Sequence, residues 1–170
     1  IHHKDDFEGM RKAGHLAAST LDMLVDVVKP GITTEEIDSK AFEFINKNGG
    51  LIGPLFYKGF PKSVCTSINH VICHGIPSSR ILESGDIVNI DVTVILDDWH
   101  GDTSRMFPVG NISTKAQRLI DCTFEAMHKG IEKISPRTKL GDLGHAIQSY
   151  AESLNYSVVR DFCGHGLGKV

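Results

Sequence analysis

Apolar residues recur at helical spacing from about Asp5 to Val28. Phe7, Met10, Ala13, Ala17, Leu21, Leu24 and Val28 fall on one stripe, which predicts an amphipathic helix. Lys29-Pro30-Gly31 ends it, because proline cannot continue the hydrogen-bond ladder. Thr33 and Glu36 have the spacing of a capping box and predict a second helix, running to Asn48-Gly49-Gly50. The pattern then changes. From Ser63 to Phe107 the chain is rich in Val, Ile and Thr and reads as several strands. Thr114 with Gln117 opens a third helix reaching about Ile134, and a fourth runs from about Leu140 to Leu154. Ser157 to Arg160 reads as a short strand before a Gly-rich end.

The two helical stretches resemble each other. A shift of 106 positions lays Pro30 on Pro136, Ile37 on Leu143, Ala41 on Ile147 and Phe44 on Tyr150. Two amphipathic helices after a proline turn produce such a match by coincidence as well. A genuine repeat implies one whole unit of helices then strands, to about Val109, and the opening of a second whose strands lie beyond Val170.

Within the strand region, Asn89 to Phe107 predicts a β-hairpin turning at Asp97-Asp98. That turn sets Leu96 opposite Trp99, Thr93 opposite Asp102 and Asp91 opposite Ser104. Strand side chains alternate faces, so Asp91, Thr93 and Asp102 share one face and Ile90, Val92 and Val94 the other. Asp91 and Asp102 are then diagonal neighbours, with Cβ atoms about 7 Å apart or less. Two such carboxylates repel, and each is costly to bury alone. A divalent cation resolves both problems. An exposed edge hairpin with solvated aspartates fits the same pattern.

Composition narrows the classes. A chain of 170 residues is one domain, or one domain with part missing. Its 41% hydrophobic content suffices for a core. The net charge of -3 comes from mixed acids and bases, with no basic stripe for nucleic acid. No apolar run is long enough to span a bilayer, and IHHKDDFEGM lacks a signal peptide's apolar stretch. The sequence does not begin with Met, so its start is processed, trimmed or a cloning scar, to which His2-His3 could belong. Cys65, Cys73, Cys122 and Cys163 form no C-x-x-C pair, which argues against a structural zinc and for reduced thiols in a cytoplasmic protein.

Among the histidines, two stand in distinctive settings. His74, in VICHGIP, ends an apolar strand and faces whatever cleft the strand ends border. His165, in FCGHGLG, lies between two glycines that let the backbone approach a ligand closely. The spacing there is Gly-x-Gly-x-Gly rather than GxGxxG, which disfavours a nucleotide-binding loop.

Taken in order, VICHGIP, NIDVTV, HGDTSRMF and GHGLG, with VKPGITTEEID and YKGFPKSVCTSIN, closely resemble the type I methionine aminopeptidases from about Asp6 to Gly168. The resemblance implies an α/β (α+β) pita-bread fold, a pseudo-twofold antiparallel sheet covered by helices, its second half incomplete in this chain. Residues 1–170 are then a single catalytic domain lacking the C-terminal part with the remaining metal ligands. The family's site holds two divalent metal ions (Co, Mn, Fe or Zn) on two Asp, one His and two Glu. Residue by residue, Asp91 and Asp102 resemble the Asp ligands and His165 the His ligand. His74 resembles the histidine that contacts substrate near the scissile peptide. Tyr57, Phe60 and Cys65 look like part of the pocket for the methionine side chain. Phe60 departs from a more usual Tyr, Lys58 from His, and Pro54 from the Cys of some relatives. The family's second substrate histidine and both Glu ligands, one of them the general base, follow the GHGxG motif and are not among these residues.

The implied activity is removal of the N-terminal methionine from nascent polypeptides, preferably before a small residue. The implied setting is cytoplasmic, at the ribosome, with no nucleic-acid specificity and no membrane. The complete enzyme is expected to be a monomer, and these 170 residues to be inactive alone. An Xaa-Pro aminopeptidase of the same fold and a non-catalytic binding protein are the competing classes.

Overall fold

The structure, a computed structural model, describes residues 2–169. Packing sets apart two units, Ile1–Ile112 with Leu167–Val170, and Ser113–Gly166.

In the first unit, helix α1 (Lys4–Leu24) buries Ala13, Ala17, Leu21 and Leu24 of the expected stripe, with Leu16 and Thr20 beside them, and leaves Phe7 exposed. It ends four residues earlier than expected. The Val25 N–H bonds Asp22 O, and Val27 and Val28 both bond Leu24 O, so the chain tightens into turns ahead of Pro30. Helix α2 (Thr34–Lys47) opens on the expected box. The Glu36 N–H donates to Thr33 Oγ1 at 3.1 Å, and the Thr33 N–H donates to Glu36 Oε2 at 2.8 Å.

The sheet contains β1 (Leu51–Ile52), β2 (Cys65–Ile68), β3 (Ile87–Leu96) and β4 (Trp99–Pro108), all antiparallel to their partners. Strand β3 is central. Strand β4 follows it from end to end, while β2 pairs its first half and β1 its far end. Residue 168 extends this pattern, since the His100 N–H donates to Gly168 O at 3.0 Å, and Lys169 bridges Trp99.

Ile90, Val92 and Val94 are fully buried in one core with Leu16, Leu21, Leu24, Ile37, Ala41 and Ile45. Burying such a side chain contributes about 1.5–3 kcal/mol. Helix α1 approaches β4 closely at Gly101, where a Cβ would sit 2.2 Å from Ala13 O. The helices therefore cover the Ile90–Val94 face. The alternate residues of β3 and β4, including Asp91 and Asp102, are left to the other face. Asp38 of α2 is buried and accepts the Ser63 and Val64 N–H groups at 2.7 and 3.1 Å, which pins the entry to β2.

In the second unit, α3 (Thr114–Ile131) starts one residue after its cap. Ser113, not Thr114, accepts the Ala116 N–H at 3.1 Å. Gln117 instead donates to Asp121, four residues on, at 2.8 Å. Helix α4 (Leu140–Ser153) packs on α3 where Gly130 meets Ile147 and where the Tyr150 hydroxyl donates to Glu125. Residues 157–160, expected as a strand, pair with no strand among the described residues. A strand needs a ladder partner as well as β-prone residues. No helix among the described residues is long and apolar enough to cross a membrane.

Candidate functional site

The hairpin of β3 and β4 turns at Asp97 and Asp98, whose φ values are +50° and +65°. Two consecutive left-handed residues make the turn whose twist matches the strands. A two-residue turn fixes the register, and the register fixes the site. Thr93 stands opposite Asp102 and Asp91 opposite Ser104. Asp91, Thr93 and Asp102 therefore lie on one face, each half-buried. The Thr93 hydroxyl donates to Asp102 Oδ1 at 3.2 Å, which orients that carboxylate.

On the other edge of β3, Cys65 of β2 is the partner of Asp91. Burial first, and then the charges of Asp91, Cys73, Asp102 and Asp38, push the Cys65 thiol up to about 12. It stays protonated at neutral pH. Both hairpin carboxylates thus act on the same spot with a negative field. Two carboxylates on one face, one of them oriented by a hydroxyl, are hard oxygen donors suited to a divalent cation. Among the described residues, no three His, Cys, Asp and Glu side chains gather into a metal cage by themselves.

The remaining expected residues have these positions. His74 is exposed, at φ +54°, in the loop after β2. Tyr57 is exposed on a single 3-10 turn, Tyr57–Gly59, with Lys58 Nζ 5.4 Å from its ring centre. Phe60 is half-buried, and its carbonyl closes the same loop by accepting the Phe56 N–H at 2.7 Å. The loop is fastened to the hairpin, because the Gly53 N–H donates to Thr93 O at 3.0 Å. Phe56 and Lys58 both take left-handed φ values, +65° and +49°, a conformation that L-residues with side chains adopt only under local constraint. His165 lies in the second unit, exposed, with its Nδ1 3.1 Å from Gly166 O. A Cβ at Gly164 or Gly166 would meet open space, so both flanks of His165 are uncrowded.

The hairpin thus presents two carboxylates on one face of an antiparallel sheet whose other face is covered by helices. The sequence model of metallopeptidase family M24 matches residues 8–170, and the chain belongs to that family. It is 60% identical over 170 residues to a methionine aminopeptidase of Rickettsia prowazekii, covering 100% of this chain and 66% of that protein. It is 53% identical over 166 residues to methionine aminopeptidase A of Synechocystis, covering 97% of this chain and 66% of the relative. The crystal structure of the Rickettsia prowazekii methionine aminopeptidase superposes with a TM-score of 0.99 at 60% identity, over 100% of this chain and 68% of that one. The chain thus spans about two-thirds of the length of the proteins it matches, and its fold is the pita-bread α/β fold of these enzymes.

Proposed function

We propose that these residues belong to a methionine aminopeptidase, a hydrolase that removes methionine from the N-termini of nascent polypeptides, preferably when the next residue is small. The observation that carries this reading is the hairpin register, which sets Asp91 and Asp102 on one face of the hairpin, opposite the buried Ile90, Val92 and Val94. The likeness to methionine aminopeptidases over the full chain supports it.

Asp91, Asp102 and His165 would hold two divalent ions together with two further carboxylates outside these residues. When bound, such ions supply a Lewis acid and a water of lowered pKa. Thr93 keeps the Asp102 carboxylate turned through its hydroxyl. His74 donates a hydrogen bond to the carbonyl oxygen of the scissile peptide and stabilises the charge that grows there. Tyr57, Phe60 and Cys65 receive the methionine side chain. Cys65, held as a thiol, offers soft sulfur rather than charge, which suits a thioether. Phe60 makes its wall of the pocket apolar where a Tyr would add a hydroxyl.

The test is hydrolysis by the complete gene product, loaded with Mn or Co, of a Met-Ala peptide against an Xaa-Pro peptide. Release of methionine from the first alone is the expected result, and cleavage of only the second overturns the assignment. The 170 residues by themselves, with three of five ligands, turn over neither.

A further inference from the structure

Asp91 and Asp102 ride on strands, but His74 rides on a loop, and loops are the mobile parts of a fold. A group that contacts a transition state needs its carrier held firmly. The fastening here is specific. Asn69 follows β2 directly at φ +52°, a conformation Asn tolerates better than most residues. Its N–H donates to Ile87 O at 2.9 Å, and its Oδ1 accepts the Ile87 N–H at 3.0 Å. Its Nδ2 donates to Asp86 Oδ1 at 2.8 Å. Asp86 is buried, and its other oxygen accepts the Glu83 N–H at 3.0 Å and Arg80 at 3.3 Å. Burial pushes the Asp86 carboxyl up, yet the Glu83 N–H, Asn69 and Arg80 outweigh it and hold the group below its ordinary value. At the loop's other end, Gly75 O accepts the Thr66 N–H at 2.7 Å and the Gly75 N–H donates to Ser67 Oγ at 3.1 Å.

We infer that Asn69 and Asp86 are positioning residues, a clamp that fixes the loop carrying His74 against β2 and β3, the strands that carry Cys65 and Asp91. The inference rests on the reading of His74 as a substrate contact. The clamp joins the loop's first residue to the residue that opens β3. The loop's start therefore moves only if the head of β3 moves.

The test uses the complete gene product and four variants. Asn69→Gly keeps the left-handed backbone and removes the amide. Asn69→Asp sets one carboxylate against another. Asp86→Asn removes the charge. The double variant Asn69→Asp with Asp86→Asn restores one amide facing one carboxylate with the roles exchanged. With a Met-Ala peptide, Asn69→Gly lowers kcat by up to about 100-fold, with KM and bound metal unchanged. Adding His74→Ala to it costs nothing more, because both changes remove the same contact. Amide exchange quickens at residues 70–75 in Asn69→Gly. The double variant regains most of the kcat that Asn69→Asp loses. Unchanged kcat and unchanged exchange in Asn69→Gly overturn the clamp, as does loss of metal in step with kcat. If His74→Ala alone leaves kcat intact, the reading of His74 fails. The clamp is then judged by exchange at residues 70–75, with faster exchange upholding it and unchanged exchange overturning it.

Discussion

The helix pairs α1–α2 and α3–α4 follow the same local plan, yet they are buried very differently. Helices α2 and α4 correspond residue for residue at an offset of 106, Thr34–Lys47 on Leu140–Ser153. The turns before them also match. The Val27 N–H bonds Leu24 O and the Lys133 N–H bonds Gly130 O, both at 3.0 Å. The Ile32 N–H bonds Lys29 O, as the Thr138 N–H bonds Ser135 O. The entry bond from Thr33 to Glu36 recurs from Lys139 to Asp142. After each helix a left-handed residue follows, Gly49 at φ +79° and Asn155 at φ +63°. The next N–H then closes on the helix, Gly50 on Ile45 and Tyr156 on Ala151, both at 3.0 Å. The local match between the two helical stretches thus extends to hydrogen bonds as well as to apolar spacing.

Burial is where they part. Ile37, Ala41 and Ile45 are wholly buried against a core that includes β3. Of their counterparts, Leu143 and Ile147 are half-buried and Ala151 alone is buried, and Ser113–Gly166 contains no strand among the described residues. Caps and turns are written within a few residues of where they act. Burial depends on strands that arrive from far along the chain.

The largest expected contrast is at the matched apolar positions. In the 170-residue chain, Ile37→Ala should destabilise the fold by about 2–5 kcal/mol, and Leu143→Ala by about 1–2 kcal/mol, because less surface is withdrawn from water there. Equal losses in urea unfolding would break the comparison. The next contrast changes sign. Asp38→Ala strands the buried N–H groups of Ser63 and Val64 and should cost about 1–3 kcal/mol. Gly144 is its counterpart, with open space where a Cβ would go. Gly144→Ala should therefore stabilise α4 by about 0.5–1 kcal/mol, read as slower amide exchange in that helix. The smallest contrast sharpens the caps. Thr33→Ala should cost about 1 kcal/mol. Lys139, which has no oxygen to offer the third N–H of α4, should gain a little less than that when replaced, as Lys139→Thr, measured by thermal melting.

The parts legible in the sequence are those with local codes. The Asp97-Asp98 turn dictated all the pairings from Leu96 with Trp99 to Asp91 with Ser104, and Thr33 with Glu36 announced α2. Ser113 was hidden because it, Thr114 and Gln117 form overlapping cap signals one residue apart. Residues 157–160 have strand composition but no ladder, which depends on a neighbour rather than on themselves. The clamp of Asn69 and Asp86 spans 17 positions between two strands. Only its halves leave a trace, an Asn after a strand and a Gly-Asp before one. Asp38 carries no local signal of its burial, because the N–H groups it accepts, at the entry to β2, lie 25 and 26 positions further along the chain.

The central claim is that Asp91 and Asp102 form one cation-binding unit, and it is tested most directly by Mn titration of the complete gene product and of its Asp102→Asn variant. The substitution preserves shape while removing charge. Metal affinity and methionine release should fall together by orders of magnitude, with the melting temperature of the metal-free protein almost unmoved. An Asp102→Asn variant that binds Mn as tightly as the parent and keeps its activity would contradict the account.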